Sequence, residues 1–208
     1  MKKIKEYYSL PLHIMFRPFD GFYQLRYENR GKISVAVINV LLVWLSVSFM
    51  NQYSSITVVL YHPNSHNSLR DGITLIGVLL LWCLGNWSVT SLTNGEGRFK
   101  DIFLANCYAM TPIIFVFVPV SIVSNFLVDT EAAFYFMFIS VAVFWFAFLV
   151  YAGMVTIHNY TAGKALLTVF LTIIAMLIIV FLITLLVVLL QQMIGYVIGI
   201  YTEITFRR

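Results

Sequence analysis

Charge is scarce in this chain. Of 208 residues only 13 are Lys or Arg and 9 are Asp or Glu, less than half the roughly one-quarter share that a water-soluble domain carries. That scarcity argues against a soluble fold of this length. Cysteine is nearly absent: Cys83 and Cys107 both sit inside apolar runs, and neither belongs to a CxxC pair. A disulfide framework and a dithiol redox motif are thereby excluded, and both thiols read as small packing residues. Histidine numbers four, and His62 and His66 alone stand at a spacing that could put two ligands on one helix face. Pro63 interrupts any regular helix through them and no neighbouring Cys or Glu completes a set, so no metal site is expected. A GxxxxGK[ST] loop and a dense basic block are also missing, which excludes a nucleotide-cradling loop and a nucleic-acid partner. No apolar run brings together paired Asp, Ser with His, or zinc ligands. Neither a catalytic residue nor a cofactor is expected.

What is present is apolar bulk. Hydrophobic residues make up 61% of the chain, including 18 Phe and 12 Tyr. Five runs are long enough to cross a bilayer, at about 33–50, 73–92, 102–123, 133–157 and 165–190. The sequence predicts an all-α, polytopic membrane protein: a five-span helical bundle over 33–192, preceded by an amphipathic segment over 1–32 and followed by a segment over 193–208. The start, Met1-Lys2-Lys3-Ile4-Lys5, is like the basic end of a signal peptide. His13, Arg17, Asp20 and Arg26 precede the first long run, however, so no cleavage is expected.

Residues 1–32 hold seven of the thirteen cations. Pro18 suits the first turn of a helix, and Phe19, Phe22, Tyr23 and Tyr27 follow at three- and four-residue spacing. The pattern predicts a short helix in the membrane interface with its rings among the headgroups. Asn86 near the end of the second run reads as a helix–helix contact. The third run carries Asn106, Thr111, Pro112 and Pro119. Proline deletes a ladder bond and clashes with the carbonyl four residues back, so this helix should kink or break and be covered by its neighbours. Asn86, Asn106, Thr111 and Pro112 are the candidate intramembrane polar site. The turn Asn94-Gly95-Glu96-Gly97-Arg98-Phe99-Lys100-Asp101 balances its cations with carboxylates and reads as a plain tight turn. After Gln191-Gln192 the chain should leave the bilayer. Tyr196, Tyr201, Glu203 and Phe206, with Gly195 and Gly199 spaced for close approach, form an outer segment suited to docking.

Five spans with the N-terminus inside place ten cations in cytoplasmic pieces, and three (Arg70, Arg207, Arg208) outside. The positive-inside bias selects this orientation, with an extracellular C-terminus.

The order of Arg17-Pro18-Phe19-Asp20-Gly21-Phe22, Glu28-Asn29-Arg30-Gly31, Asn86-Trp87, Asn94 to Asp101, Ala109-Met110-Thr111-Pro112 and His158-Asn159-Tyr160-Thr161 before Lys164 resembles the Yip-domain family of integral membrane proteins, in its bacterial branch. The resemblance implies a five-span bundle in a bacterial plasma membrane and a non-enzymatic role. Eukaryotic members look like partners of Rab-type GTPases, a role for which this chain has almost no cytoplasmic domain. Bacterial relatives are similar to accessory proteins, some associated with ABC transporters. The expected function is an accessory or scaffold subunit of a membrane transport complex, with membrane lipids and the permease and ATP-binding subunits as partners. Phe19, Phe22, Tyr23 and Tyr27 would make contacts at the inner face, and Tyr196, Tyr201, Glu203 and Phe206 at the outer. The alternative is a stand-alone small-solute transporter or channel lined by Asn86, Asn106, Thr111 and Pro112.

Overall fold

In lipid a backbone must satisfy its own polar groups, and long uncharged runs do so as helices. The computed structural model describes residues 2–55, 58 and 67–206, so the connection carrying His62 and His66, and the terminal Arg207-Arg208, lie outside it. The helices are α1 (Lys2–Phe16), α2 (Pro18–Arg26), α3 (Ile33–Tyr53), α4 (Ser68–Leu92), α5 (Phe99–Ala109), α6 (Thr111–Ser124), α7 (Ala132–His158) and α8 (Ala162–Phe206). Among the described residues five stretches are long and apolar enough to span a membrane: α3, α4, α5 with α6, α7, and α8. The chain is a polytopic helical bundle.

The third span is broken at Met110, between α5 and α6. Pro112 has no N–H for the carbonyl of Tyr108, and the Thr111 hydroxyl donates to that carbonyl instead, at 2.6 Å. Asn39 of α3 reaches across with its amide and donates to the Cys107 carbonyl at 2.6 Å and to Thr111 Oγ1 at 3.1 Å. The one strongly polar residue in the middle of the first span therefore serves the opening that proline makes in the third. At the far ends of these helices Asn125 donates to the Tyr53 carbonyl at 2.9 Å, and Ser54 donates to Ser121 at 3.1 Å.

Two features differ from the sequence expectation. The segment before Pro18 is helical: α1 and α2 form an antiparallel hairpin in which Leu10 and Ile14 are buried. Gly21 makes the close crossing, since a Cβ there would stand 2.8 Å from Ile14 Cα. Pairs along α2 and α7 show that α2 stands beside α7 and runs parallel to it. Phe19 meets Phe148 edge-on at 6.5 Å, Phe22 lies on Gly153, and Arg26 donates to the Ile157 carbonyl. Trp145 continues the line by donating to the Met15 carbonyl at 3.1 Å.

The second difference is at the C-terminus. The helix expected to end near 190 runs on to Phe206 as one 45-residue rod, and the separate outer segment over 193–208 is part of it as far as the described residues go. Gln191 and Gln192 are good helix formers, and no proline follows to stop the ladder. Only Ala165, Thr168 and Thr172 of α8 are buried, against α4 and α7.

Candidate functional site

At one end of the bundle three turns meet, and each closes on an asparagine in the left-handed region: Asn29 (φ 52°), Asn94 (φ 55°) and Asn159 (φ 54°). Asparagine tolerates that conformation better than other side chains except glycine. Arg26, from the end of α2, ties the turns together. It donates to the Ile157 carbonyl in the last turn of α7, to the Glu96 carbonyl at 3.1 Å and to the Glu96 carboxylate at 3.3 Å. A cation at a helix C-terminus also answers the partial negative charge of the exposed carbonyls. His158 accepts from the Gly97 N–H through Nδ1 at 3.3 Å and stacks on Tyr160 at 5.3 Å. Tyr160 and Thr93 share a hydrogen bond of 2.7 Å between their hydroxyls, and the Lys164 ammonium stands 4.3 Å over the Tyr160 ring.

This cluster has the chemistry of a lock. The N–H of Gly95 is spent on the Thr90 carbonyl at 2.8 Å and that of Gly97 on His158, so neither is free to cradle an anion. Among the described residues the buried Nε2 of His158 has no hydrogen-bond partner, so neither a carboxylate nor a hydroxyl or thiol nucleophile is engaged there. Among the described residues no group of three His, Cys, Asp or Glu is placed to hold a metal.

The four intramembrane candidates do not gather on one cavity. Thr111 and Pro112 are consumed by the α5–α6 break. Asn106 donates to the Ile102 carbonyl at 2.7 Å within its own helix, and buried Asn86 contacts Met154 Sδ at 2.5 Å. Asn106 does line a void with Met154 and His158, but it measures about 10 Å³. That is the room of a single water.

The candidate contact residues fall in two groups. Phe22 is fully buried in the core, whereas Phe19, Tyr23 and Tyr27 are half exposed. Phe22 is therefore a packing residue, and the exposed stripe holds three rings, with Tyr23 and Tyr27 stacked at 4.8 Å. On α8, Tyr196 is 72% exposed, Tyr201 71% and Phe206 85%, with Glu203 exposed among them. Sequence reasoning noticed the two turns separately but missed that Arg26, Glu96, His158 and Tyr160 converge. Their separations along the chain are 70, 61 and 67 residues for the pairs Arg26–Glu96, Gly97–His158 and Thr93–Tyr160, and no local spacing signals such contacts.

A family model described as the Yip1 domain matches residues 12–185, which takes in the end of α1, all of α2, every turn of the lock and the first half of α8. No curated protein and no solved structure matches the chain.

Proposed function

Since the chain belongs to the Yip1-domain family of integral membrane proteins, we propose that it is a non-enzymatic accessory or scaffold subunit, which holds other subunits of a transport complex by lateral contact in the membrane. One observation carries this reading. The distal part of α8, from Phe181 to Phe206, is exposed on every side although most of it is apolar, and Phe181 to Leu190 almost wholly so. A helix apolar all round belongs inside a larger helical assembly or in lipid. Tyr196, Tyr201, Glu203 and Phe206 on that helix, and Phe19, Tyr23 and Tyr27 on α2, are the contact residues of this proposal. The lock at the other end fixes the root of α8, through Tyr160 and Lys164, so that the rod is presented at a set angle.

The orientation that goes with it puts the Arg26 end in the cytoplasm of a bacterial cell and Phe206 on the outer side. That arrangement keeps Arg98, Lys100, Lys164 and the N-terminal cations together, as the positive-inside bias requires. The partners it fits are the permease and ATP-binding subunits of an ABC-type transporter. Purification of the full chain in a mild detergent, from cells that also express such subunits, should recover them with it. A photo-crosslinker at Tyr201 should capture the permease, and one at Ile76 of α4 should not. Recovery of the chain alone, with lipid as the sole crosslinked product at both positions, would overturn the proposal.

A further inference from the structure

Beside the hairpin of α1 and α2 lies an open cleft of about 250 Å³ lined by Ser9, Leu10, His13, Gln24 and Arg30. It lies outside the lock and outside the α8 surface. Its polar groups form a chain. His13 Nε2 and Asp20 Oδ2 are 2.5 Å apart, Gln24 donates to the same Asp20 oxygen at 3.0 Å, and Arg30 donates to Gln24 Oε1 at 2.6 Å. Gln24 Nε2 also lies 3.5 Å from His13 Nε2. The hydrogen bond from His13, with lesser help from the charge of His13, from Gln24 and from Arg17, holds the Asp20 carboxyl below its ordinary 3.8. Asp20 is thus an exposed anion already answered by partners on the hairpin itself. Among the described residues Arg30 has one close side-chain acceptor, Gln24, and a loose pairing with Glu28 at 3.9 Å. A guanidinium has five N–H donors in a planar fork, so Arg30, which lines the cleft, keeps donors to spare.

Depth decides what can reach it. Gly31, beside Arg30, packs on Leu104, and the Lys32 N–H donates to the Tyr108 hydroxyl at 3.1 Å. Leu104 is five residues in from Phe99 at the end of α5, roughly 8 Å along the axis. A bilayer of roughly 40–45 Å with a hydrocarbon core of about 30 Å leaves about 5–8 Å of headgroup on each side, so that is the inner edge of the headgroup layer, where a lipid phosphate and its glycerol sit. Charge points the same way. Residues 1–32 carry seven cations and three carboxylates, and this excess of four equals the net charge of the whole chain.

We propose that this cleft binds the phosphate of an anionic glycerophospholipid, with Arg30 as the fork on the phosphate oxygens and Ser9, His13 and Gln24 lining the headgroup. The cleft is smaller than the roughly 300 Å³ at which drug-sized sites begin, which suits a headgroup whose acyl chains stay in the leaflet. Basic pockets between helices on one membrane face are a recurrent way to hold such lipids. The site is independent of what α8 meets, so its failure and that of the docking proposal are separate results.

The test uses the full chain in mild detergent, titrated with short-chain phosphatidylglycerol or phosphatidylcholine and followed by native mass spectrometry and thermal melting. Phosphatidylglycerol should be retained and raise the melting temperature, and phosphatidylcholine should not. Arg30→Gln should weaken phosphatidylglycerol binding by about fivefold or more. Lys100→Gln, which removes a cation elsewhere on the same end, should leave binding unchanged. Equal retention of the two lipids overturns the proposal, as does an equal loss in Lys100→Gln, which would mean diffuse attraction. Stabilisation by sodium phosphate matching that by phosphatidylglycerol would also overturn it, in favour of a soluble anion. If Arg30→Gln does not purify, Arg30→Lys decides: it keeps the charge without the fork, and unchanged binding in it overturns the proposal.

Discussion

Gly97 has no side chain because His158 and Ile157 occupy the space one would need: a Cβ there would stand 2.6 Å from His158 Cε1 and 2.8 Å from Ile157 Cγ2. Gly97→Ala should therefore destabilise the chain by about 1–3 kcal/mol, the usual cost of overpacking. Gly163→Ala is the matched control. A Cβ at Gly163 meets nothing within 4 Å and α8 has begun, so this change should be neutral or slightly stabilising. Thermal melts of the two variants in one detergent check the pair, and equal losses would count against the lock. From the sequence alone the two glycines look alike, each next to a turn. What separates them is a partner about sixty residues away, which no local pattern encodes. Phe22 shows the same limit. At about 100° per residue it points some 60° away from Phe19, on the side of Leu25, while Tyr23 and Tyr27 fan out the other way. Ring spacing alone merged a buried flank with an exposed one.

The elements that were legible in the sequence are those whose physics is local. Uncharged runs of adequate length give the spans, and Pro112 gives the break in the third. The N-terminal hairpin was half legible. Pro18 opens α2 as its fixed φ predicts, but the cations and Pro11 of α1 masked a helix that is held by tertiary packing of Leu10 and Ile14. The break supplies its own test. Removing the Asn39 amide leaves the Cys107 carbonyl without that side-chain donor in a buried setting. Asn39→Leu should lower stability by about 1–3 kcal/mol, read as a lower melting midpoint or a lower denaturant midpoint in detergent. Stability equal to the parent would mean that the break is satisfied without α3.

For the whole molecule, the sharpest consequence concerns sidedness. Cys83 and Cys107 are both buried, so a cysteine introduced elsewhere labels against a low background. Lys100→Cys and Thr205→Cys should react with a membrane-impermeant maleimide from opposite sides of a sealed vesicle, Lys100→Cys from the cytoplasmic one. Labelling of both from one side would invert or fold back the arrangement. The distance between those positions also has a geometric meaning. A 45-residue helix is roughly 67 Å long, and the hydrocarbon layer is about 30 Å thick. To submerge its whole length by leaning alone, α8 would need an inclination of about 63°, beyond the roughly 40° that spanning helices reach. Its third to fifth turns are meanwhile packed on α4, where Gly85 lies against Thr172 and Met176. The rod is thus too long for the slab that its root stands in, and the surplus length needs cover from something other than the undeformed bilayer.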